Sequence, residues 1–227
     1  MMAPLKPLLL AGGKSSRMGT RKELLCLNGQ EPMYKQLISI LHAACPESET
    51  IYLSLRDREC AKAFQDDRNI AGSNKDQFIL DLDGSSLNVQ IIYDHENGEG
   101  SKGNEDIGPA SGLLSAHRQD PSATWLVAAC DYPFLTTAAL QSLRKESAGA
   151  LVTCFMNADG FCEPLLGVWT PKALQLLQRN VEQGILGPSA AVKRLGGRAI
   201  RPAYEKWLFN TNDSTEWQKA VELYRSI

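Results

Sequence analysis

Short unbroken apolar runs alternate along this chain with stretches in which apolar residues recur every three or four positions. That alternation predicts a mostly parallel β-sheet covered by helices. Pro7 to Ala11 reads as a first strand, followed by a helix over Pro32 to Ala44 whose Leu37, Ile38, Leu41 and Ala44 share one face. Thr50 to Leu55, Val89 to Tyr93, Trp125 to Cys130, Ala150 to Phe155 and Leu165 to Trp169 are further strands. Helices are expected over Thr136 to Ser147, Pro171 to Gln183 and Asp213 to Tyr224. Asp213 and Glu216 have capping-box spacing at the start of the last of these. Residues 66–87 and 96–107 are polar and contain Gly and Asn, and read as long loops or insertions in a single domain spanning residues 1–227.

Two of the strands end at an aspartate, Asp94 and Asp131. In open α/β sheets ligands bind beyond the carboxyl ends of the strands, so both carboxylates are candidates for chemistry. The 24 Lys and Arg against 26 Asp and Glu leave a net charge of −2, which offers no general attraction to nucleic acid or to an anionic membrane. Phosphate binding, if present, has to be local. The first eleven residues lack the apolar length of a signal-peptide core, and no run of eighteen apolar residues occurs. A cytoplasmic protein is the expectation. Cys26, Cys45, Cys60, Cys130, Cys154 and Cys162 include no C-x-x-C pair, and His42, His95 and His117 have no paired spacing. Reduced, packed thiols and ordinary histidines are expected in place of a zinc site.

The strongest local signal is Leu10-Ala11-Gly12-Gly13-Lys14-Ser15-Ser16-Arg17-Met18-Gly19, followed by Lys22. Paired glycines after a strand allow backbone N–H groups to approach a ligand closely, and Arg17 and Lys22 add positive charge beside them. This suits a triphosphate, although a tight turn with solvated cations uses the same residues. The spacing of Gly13 and Gly19 does not fit a Walker A loop. Gly98, Gly100 and Gly103 match G-x-G-x-x-G, but the charged run into Gly108-Pro109 cannot continue the helix that a dinucleotide fingerprint must open.

The run Leu10 to Lys22 resembles the signature of the nucleotidyltransferases related to molybdenum cofactor guanylyltransferase. Four later blocks follow in that family's order: Gly108-Pro109-Ala110-Ser111-Gly112, Asp131-Tyr132-Pro133-Phe134, Glu163-Pro164-Leu165 and Asn210-Thr211-Asn212. The resemblance implies a three-layer α/β/α, Rossmann-like nucleotidyltransferase fold of the type A nucleotide-diphospho-sugar transferase kind. It also implies a Mg-dependent enzyme that moves GMP from GTP to the terminal phosphate of molybdopterin. Leu10, Ala11, Gly12, Gly13, Arg17, Gly19, Lys22, Asp94, Pro109, Gly112 and Asp131 then bind the nucleotide. Arg17, Lys22 and Asp131 are catalytic, Asp131 also holds the metal, and Glu163, Asn210 and Asn212 face the acceptor. The product leaves room for transient contact with a cofactor insertase or an apo-molybdoenzyme. One departure stands out: after Ile51 to Ser54 the family usually places a polar residue, commonly Asn, where this chain has Leu55.

These residue types suit the chemistry. Charge builds on leaving pyrophosphate, and an Arg fork and a Lys point charge can stabilise it. A phosphate monoester acceptor has a second pKa near 6 and is already anionic at neutral pH, so no enzyme base is required. The alternatives are a related transferase using CTP, or one acting on a sugar phosphate or other small phosphorylated acceptor. A non-catalytic nucleotide-binding regulatory protein is an alternative from another class.

Overall fold

The computed structural model describes residues 5–13, 19–27, 29, 31–64, 70–74, 76–82, 84–94 and 108–226. Lys14 to Met18, including Arg17, lie outside these residues, as do His95, residues 96–107 and the glycine triplet within them.

Among the described residues nine strands form one sheet: β1 (Leu5–Leu10), β2 (Thr50–Leu55), β3 (Ile70–Asn74), β4 (Gln77–Leu82), β5 (Ser85–Tyr93), β6 (Thr124–Ala129), β7 (Val152–Met156), β8 (Cys162–Trp169) and β9 (Arg198–Ile200). Their order is β3-β4-β5-β2-β1-β6-β8-β7-β9. The four central strands, β5, β2, β1 and β6, are parallel, and only β4 and β8 run against the common direction. The central strands are the most apolar in sequence because helices cover both of their faces. Leu8, Leu9, Leu53, Trp125, Leu126 and Val127 are fully buried there.

The helices are α1 (Met33–Ala44), α2 (Arg58–Lys62), α3 (Ala110–Gln119), α4 (Thr137–Glu146), α5 (Pro171–Glu182), α6 (Pro188–Arg194) and α7 (Ser214–Arg225). α1 packs with α4, while α3 packs with α5, which gives the three-layer arrangement. Caps set the helix starts as the sequence predicts. Thr136 Oγ1 accepts from the Ala139 amide at 3.2 Å, and Asp213 Oδ1 accepts from the Glu216 amide at 2.9 Å. Among the described residues no helix is long and apolar enough to cross a membrane.

The stretch 66–87 is not the long loop its polarity suggests. Its described part holds β3 and β4, and β5 begins at Ser85, well before Val89. Phe78, Leu80 and Leu82 are buried while Gln77, Ile79 and Asp81 face outward, the period-2 pattern of a strand with one covered face. These two strands extend the edge of the sheet next to β5. α2, α6 and β9 are short elements that the periodicity did not predict.

The chain leaves β1 to build β2 and β5 on one side, then returns to build β6 on the other. A crevice opens at such a reversal because the neighbouring connections diverge, and here it lies at the carboxyl end of β1. Gly12 and Gly13 follow β1 there.

Candidate active site

Two carboxylates flank the glycine turn. Asp94 follows β5 and Asp131 follows β6, so three strand spacings of about 4.8 Å separate them, roughly 14 Å across the crevice. The backbone at this end is knitted together: the Ala11 amide donates to the Ser54 carbonyl at 2.8 Å, Asp94 to Leu55 at 2.8 Å and Cys130 to Leu10 at 3.0 Å.

On the Asp94 side, Ser54 is fully buried and its hydroxyl donates to Asp94 Oδ1 at 2.5 Å. Asp94 Oδ2 lies against Gly12 so closely that a Cβ there would sit 2.1 Å from it. Gly12 is therefore required by that contact and not by a left-handed backbone. Gly112, in the first turn of α3, meets the same group: a Cβ would fall 2.6 Å from Leu10 Cδ2 and 2.8 Å from Ser54 Oγ. The amino end of α3, with Gly108 at a φ of +60° and Pro109 as its cap, is thus pressed onto the ends of β1 and β2. Sequence reasoning placed Leu10, Gly12, Asp94, Pro109 and Gly112 near one another but gave no role to Ser54. Leu55 is fully buried and, by strand alternation, points to the face opposite Ser54. Position 55 is core in this chain.

On the other side, Lys22 begins a short 3-10 turn, Lys22–Leu24. The residues flanking it are anchored. Glu23 is buried and paired with Arg21, whose guanidinium also donates to the Cys60 carbonyl at 2.5 Å. Lys22 is thereby held close enough to Asp131 to act on its ionisation. Asp131 is half-buried as a residue, but its Oδ1 is wholly enclosed and has no hydrogen-bonding partner among the described residues. Burial pushes the Asp131 carboxyl above the usual carboxylate range, while Lys22 and the Asn210 amide pull the other way.

The segment before α7 lies along this aspartate. The Thr211 amide and hydroxyl both donate to the Asp131 carbonyl, at 2.9 and 3.2 Å. That pairing brings Asn210 beside Asp131, and the enclosed Asn210 Oδ1 likewise finds no partner among the described residues. Asn212 diverges from its companion: it is exposed, and its amide donates to Glu216 Oε2 at 2.5 Å as part of the α7 cap. Glu163, at the start of β8, accepts from the buried Tyr132 hydroxyl at 2.8 Å and from Asn157 Nδ2 at 3.2 Å. Its negative charge bears on Asp131. Tyr132, Asn157 and Thr211 were not singled out from sequence. Neutral polar side chains leave no spacing signature, although Tyr132 and Thr211 sit inside two of the quoted blocks.

The crevice can therefore take an elongated ligand with hydrogen-bond donors near Asp94 and oxyanions near Lys22, with a hard cation beside Asp131. The six cysteines are free, and no group of three or more metal-binding His, Cys, Asp or Glu side chains occurs among the described residues.

Comparison with known proteins identifies the family and the fold. A model of the MobA-like NTP transferase domain matches residues 7–199. The molybdenum cofactor biosynthesis bifunctional protein of Synechocystis is 31% identical over 202 residues, covering 88% of this chain but 48% of that protein. The chain thus spans about half the length of that relative. A probable molybdenum cofactor guanylyltransferase of Synechococcus elongatus is 27% identical over 214 residues, 93% of this chain and 95% of that one. The crystal structure of molybdopterin-guanine dinucleotide biosynthesis protein A from Archaeoglobus fulgidus has the same fold, with a TM-score of 0.65 at 21% identity over 98% of this chain and 100% of that one.

Proposed function

Because the chain belongs to the MobA-like NTP transferase domain family, we propose that it transfers GMP from GTP to the terminal phosphate of molybdopterin, releasing pyrophosphate. The observation that carries this reading is the placement of the glycine turn between Asp94 and Asp131, at the reversal of strand order. The names of the relatives supply the acceptor and the base; the geometry supports a nucleotide lying across the strand ends.

In this reading Leu10, Ala11, Gly12, Gly13 and Gly19 cradle the nucleotide, with Asp94, Pro109 and Gly112 at its nucleoside end. Asp94 is a fixed acceptor because Ser54 and Gly12 leave it little freedom. Leu55, being core, leaves the selection of the base to the groups around Asp94. Lys22 and Arg17 are assigned to the phosphates, Arg17 from its place in the glycine run alone. An acceptor phosphate oxygen attacks the α-phosphorus, the new P–O bond forms, and the bond to pyrophosphate breaks. Lys22 stabilises the charge that moves onto the leaving group.

Asp131 is the residue that would hold Mg. Its enclosed, partnerless Oδ1 fits that role, since a buried carboxylate oxygen without a donor is a costly arrangement unless a cation meets it. A bound divalent ion would neutralise phosphate charge in the site. Glu163 and Asn210 face the acceptor, with Tyr132 and Asn157 holding Glu163 in place. Asn212 is assigned to the acceptor side with its side chain free of the capping contact, which its backbone makes.

The test is pyrophosphate release from each of the four NTPs with purified molybdopterin and Mg. Release with GTP that requires molybdopterin is expected. Preference for CTP, or equal release with a sugar phosphate, would move the chain to a related transferase. Nucleotide binding without release under any pairing would make it a regulatory protein.

A further inference from the structure

We propose that Cys154 and Cys162 form a dithiol site that a hydroperoxide converts to a reversible disulfide, and that closing this link displaces Glu163. The thiol chemistry stands apart from the proposed function; its effect on the acceptor rests on the reading of Glu163.

The register of β7 and β8 brings the two cysteines together. Cys162 lies across from Met156, and Cys154 stands two residues before Met156. Side chains alternate along a strand, so Cys154, Met156 and Cys162 share one face of the sheet, with the two cysteines as diagonal neighbours. The residue directly across from Cys154 is Gly167, which presents no side chain to it. Both thiols are free, and they are close enough to act on each other. Burial first, and then the charge and hydrogen bonding of Cys162, push the Cys154 thiol well above its ordinary range.

Their unequal exposure sets the order of events. Cys154 is fully buried, whereas Cys162 is half-buried at the foot of a turn whose residues Ala158 to Phe161 are exposed. A hydroperoxide therefore meets Cys162 first. The Cys162 sulfur attacks one peroxide oxygen, the O–O bond breaks, and water or an alcohol leaves as the cysteine becomes a sulfenic acid. The Cys154 sulfur then attacks that of Cys162, the S–S bond forms, the S–O bond breaks, and water leaves with the Cys154 proton. Two electrons pass from the thiols to the peroxide.

Closing the link requires movement. Diagonal neighbours stand about 7–8 Å apart at Cα, whereas a disulfide needs about 4.4–6.8 Å, so the start of β8 must draw in by about 1 Å. The slack is in β8 itself: Cys154 pairs with Gly167 and Phe155 with Glu163, which leaves residues 164–166 out of register with β7. Glu163 adjoins Cys162 and accepts from Tyr132 at 2.8 Å and from Asn157 at 3.2 Å. A displacement of that size breaks at least one of these hydrogen bonds. A link made under strain is also readily reduced, which makes the site reversible.

The experiment treats the whole reduced protein with hydrogen peroxide, then counts free thiols after denaturation and weighs the peptides. Two of the six thiols should disappear. The mass should fall by two hydrogens, and one linked peptide pair should carry Cys154 and Cys162, all reversed by dithiothreitol. In Cys154→Ser, Cys162 should stop at a sulfenic acid that dimedone traps; in Cys162→Ser, Cys154 should remain a thiol. No link, a link to another cysteine, or a Cys162 that stays reduced in the wild type would overturn the proposal. The oxidised protein should show a KM for molybdopterin raised about tenfold, the scale of one lost hydrogen bond to a charged group, with NTP affinity unchanged and full recovery on reduction. A link formed without that change would overturn the displacement of Glu163. A reduced protein without turnover would count against the proposed function instead, while the thiol count still decides the link.

Discussion

Asp131→Asn should separate folding from function in a way that ordinary core substitutions do not. The native carboxylate has an enclosed oxygen without a partner, and burial raises its pKa. Ionising such a group costs several kcal/mol, of which the nearby Lys22 and the Asn210 amide return part. An asparagine of the same shape removes the charge but keeps an unsatisfied oxygen, so the cost of about 1–3 kcal/mol for that atom remains. The net gain is about 1 kcal/mol for the metal-free protein, or roughly 2–4 °C in melting temperature for a chain of this size.

The pH dependence follows from the direction of the shift. With its folded pKa raised, the folded state binds the proton more tightly than the unfolded chain, so wild-type stability falls as pH rises from the usual carboxylate value through the folded one. The advantage of the asparagine variant should be present at neutral pH and close as the pH falls to about 4. Thermal melts in chelator across that range, run beside pyrophosphate release in Mg, test both halves. A variant that melts several degrees below wild type in chelator would show that attraction to Lys22 outweighs desolvation. Near-normal turnover would remove Asp131 from the chemistry.

Lys22→Ala should bind its preferred NTP within about tenfold of wild type, because backbone groups of the glycine turn survive, yet turn over at least about a hundredfold more slowly; calorimetry beside steady-state kinetics checks this. Tyr132→Phe removes one of the two donors to Glu163 and should raise the KM for the acceptor about tenfold while leaving NTP affinity unchanged, and an equal loss for both substrates would contradict it. At the far end of the sheet, the hydrogen bond from Lys6, backed by Ser122, holds the Asp120 carboxyl down at about 2. Stability from this pair is present above the unfolded value near 3.9 and is lost as pH falls towards about 2. Because both groups are partly exposed, Asp120→Asn should cost no more than about 1 kcal/mol at pH 6, with the difference shrinking in denaturant titrations at pH 3.

The parts of the site that announced themselves in sequence are those whose physics is local. Gly12 and Gly13 after an apolar run, an aspartate ending each of two buried strands, and Asp213 three residues before Glu216 all follow from rules that act over a few residues. What escaped depends on partners distant in sequence. Ser54 matters because Asp94, forty residues on, accepts its hydrogen bond, and Tyr132 matters because of Glu163. Asn210 and Asn212 look equivalent in the chain, yet one is turned against Asp131 while the other serves the cap of α7. The β4 strand is legible in Phe78, Leu80 and Leu82, which alternate with outward-facing residues, but the surrounding Asp, Asn and Gly residues give the stretch the composition of a loop.

The central claim is that the nucleoside monophosphate, and not the γ-phosphate, moves to a phosphorylated acceptor. It is tested most directly by following isotope from GTP labelled at the α-phosphate in one reaction and at the γ-phosphate in another, each with molybdopterin and Mg. The account predicts that α-label appears in a dinucleotide product while γ-label leaves entirely as pyrophosphate. Label from the γ-position on the acceptor, or α-label that remains in GTP or is released as free GMP whether or not molybdopterin is present, would contradict it.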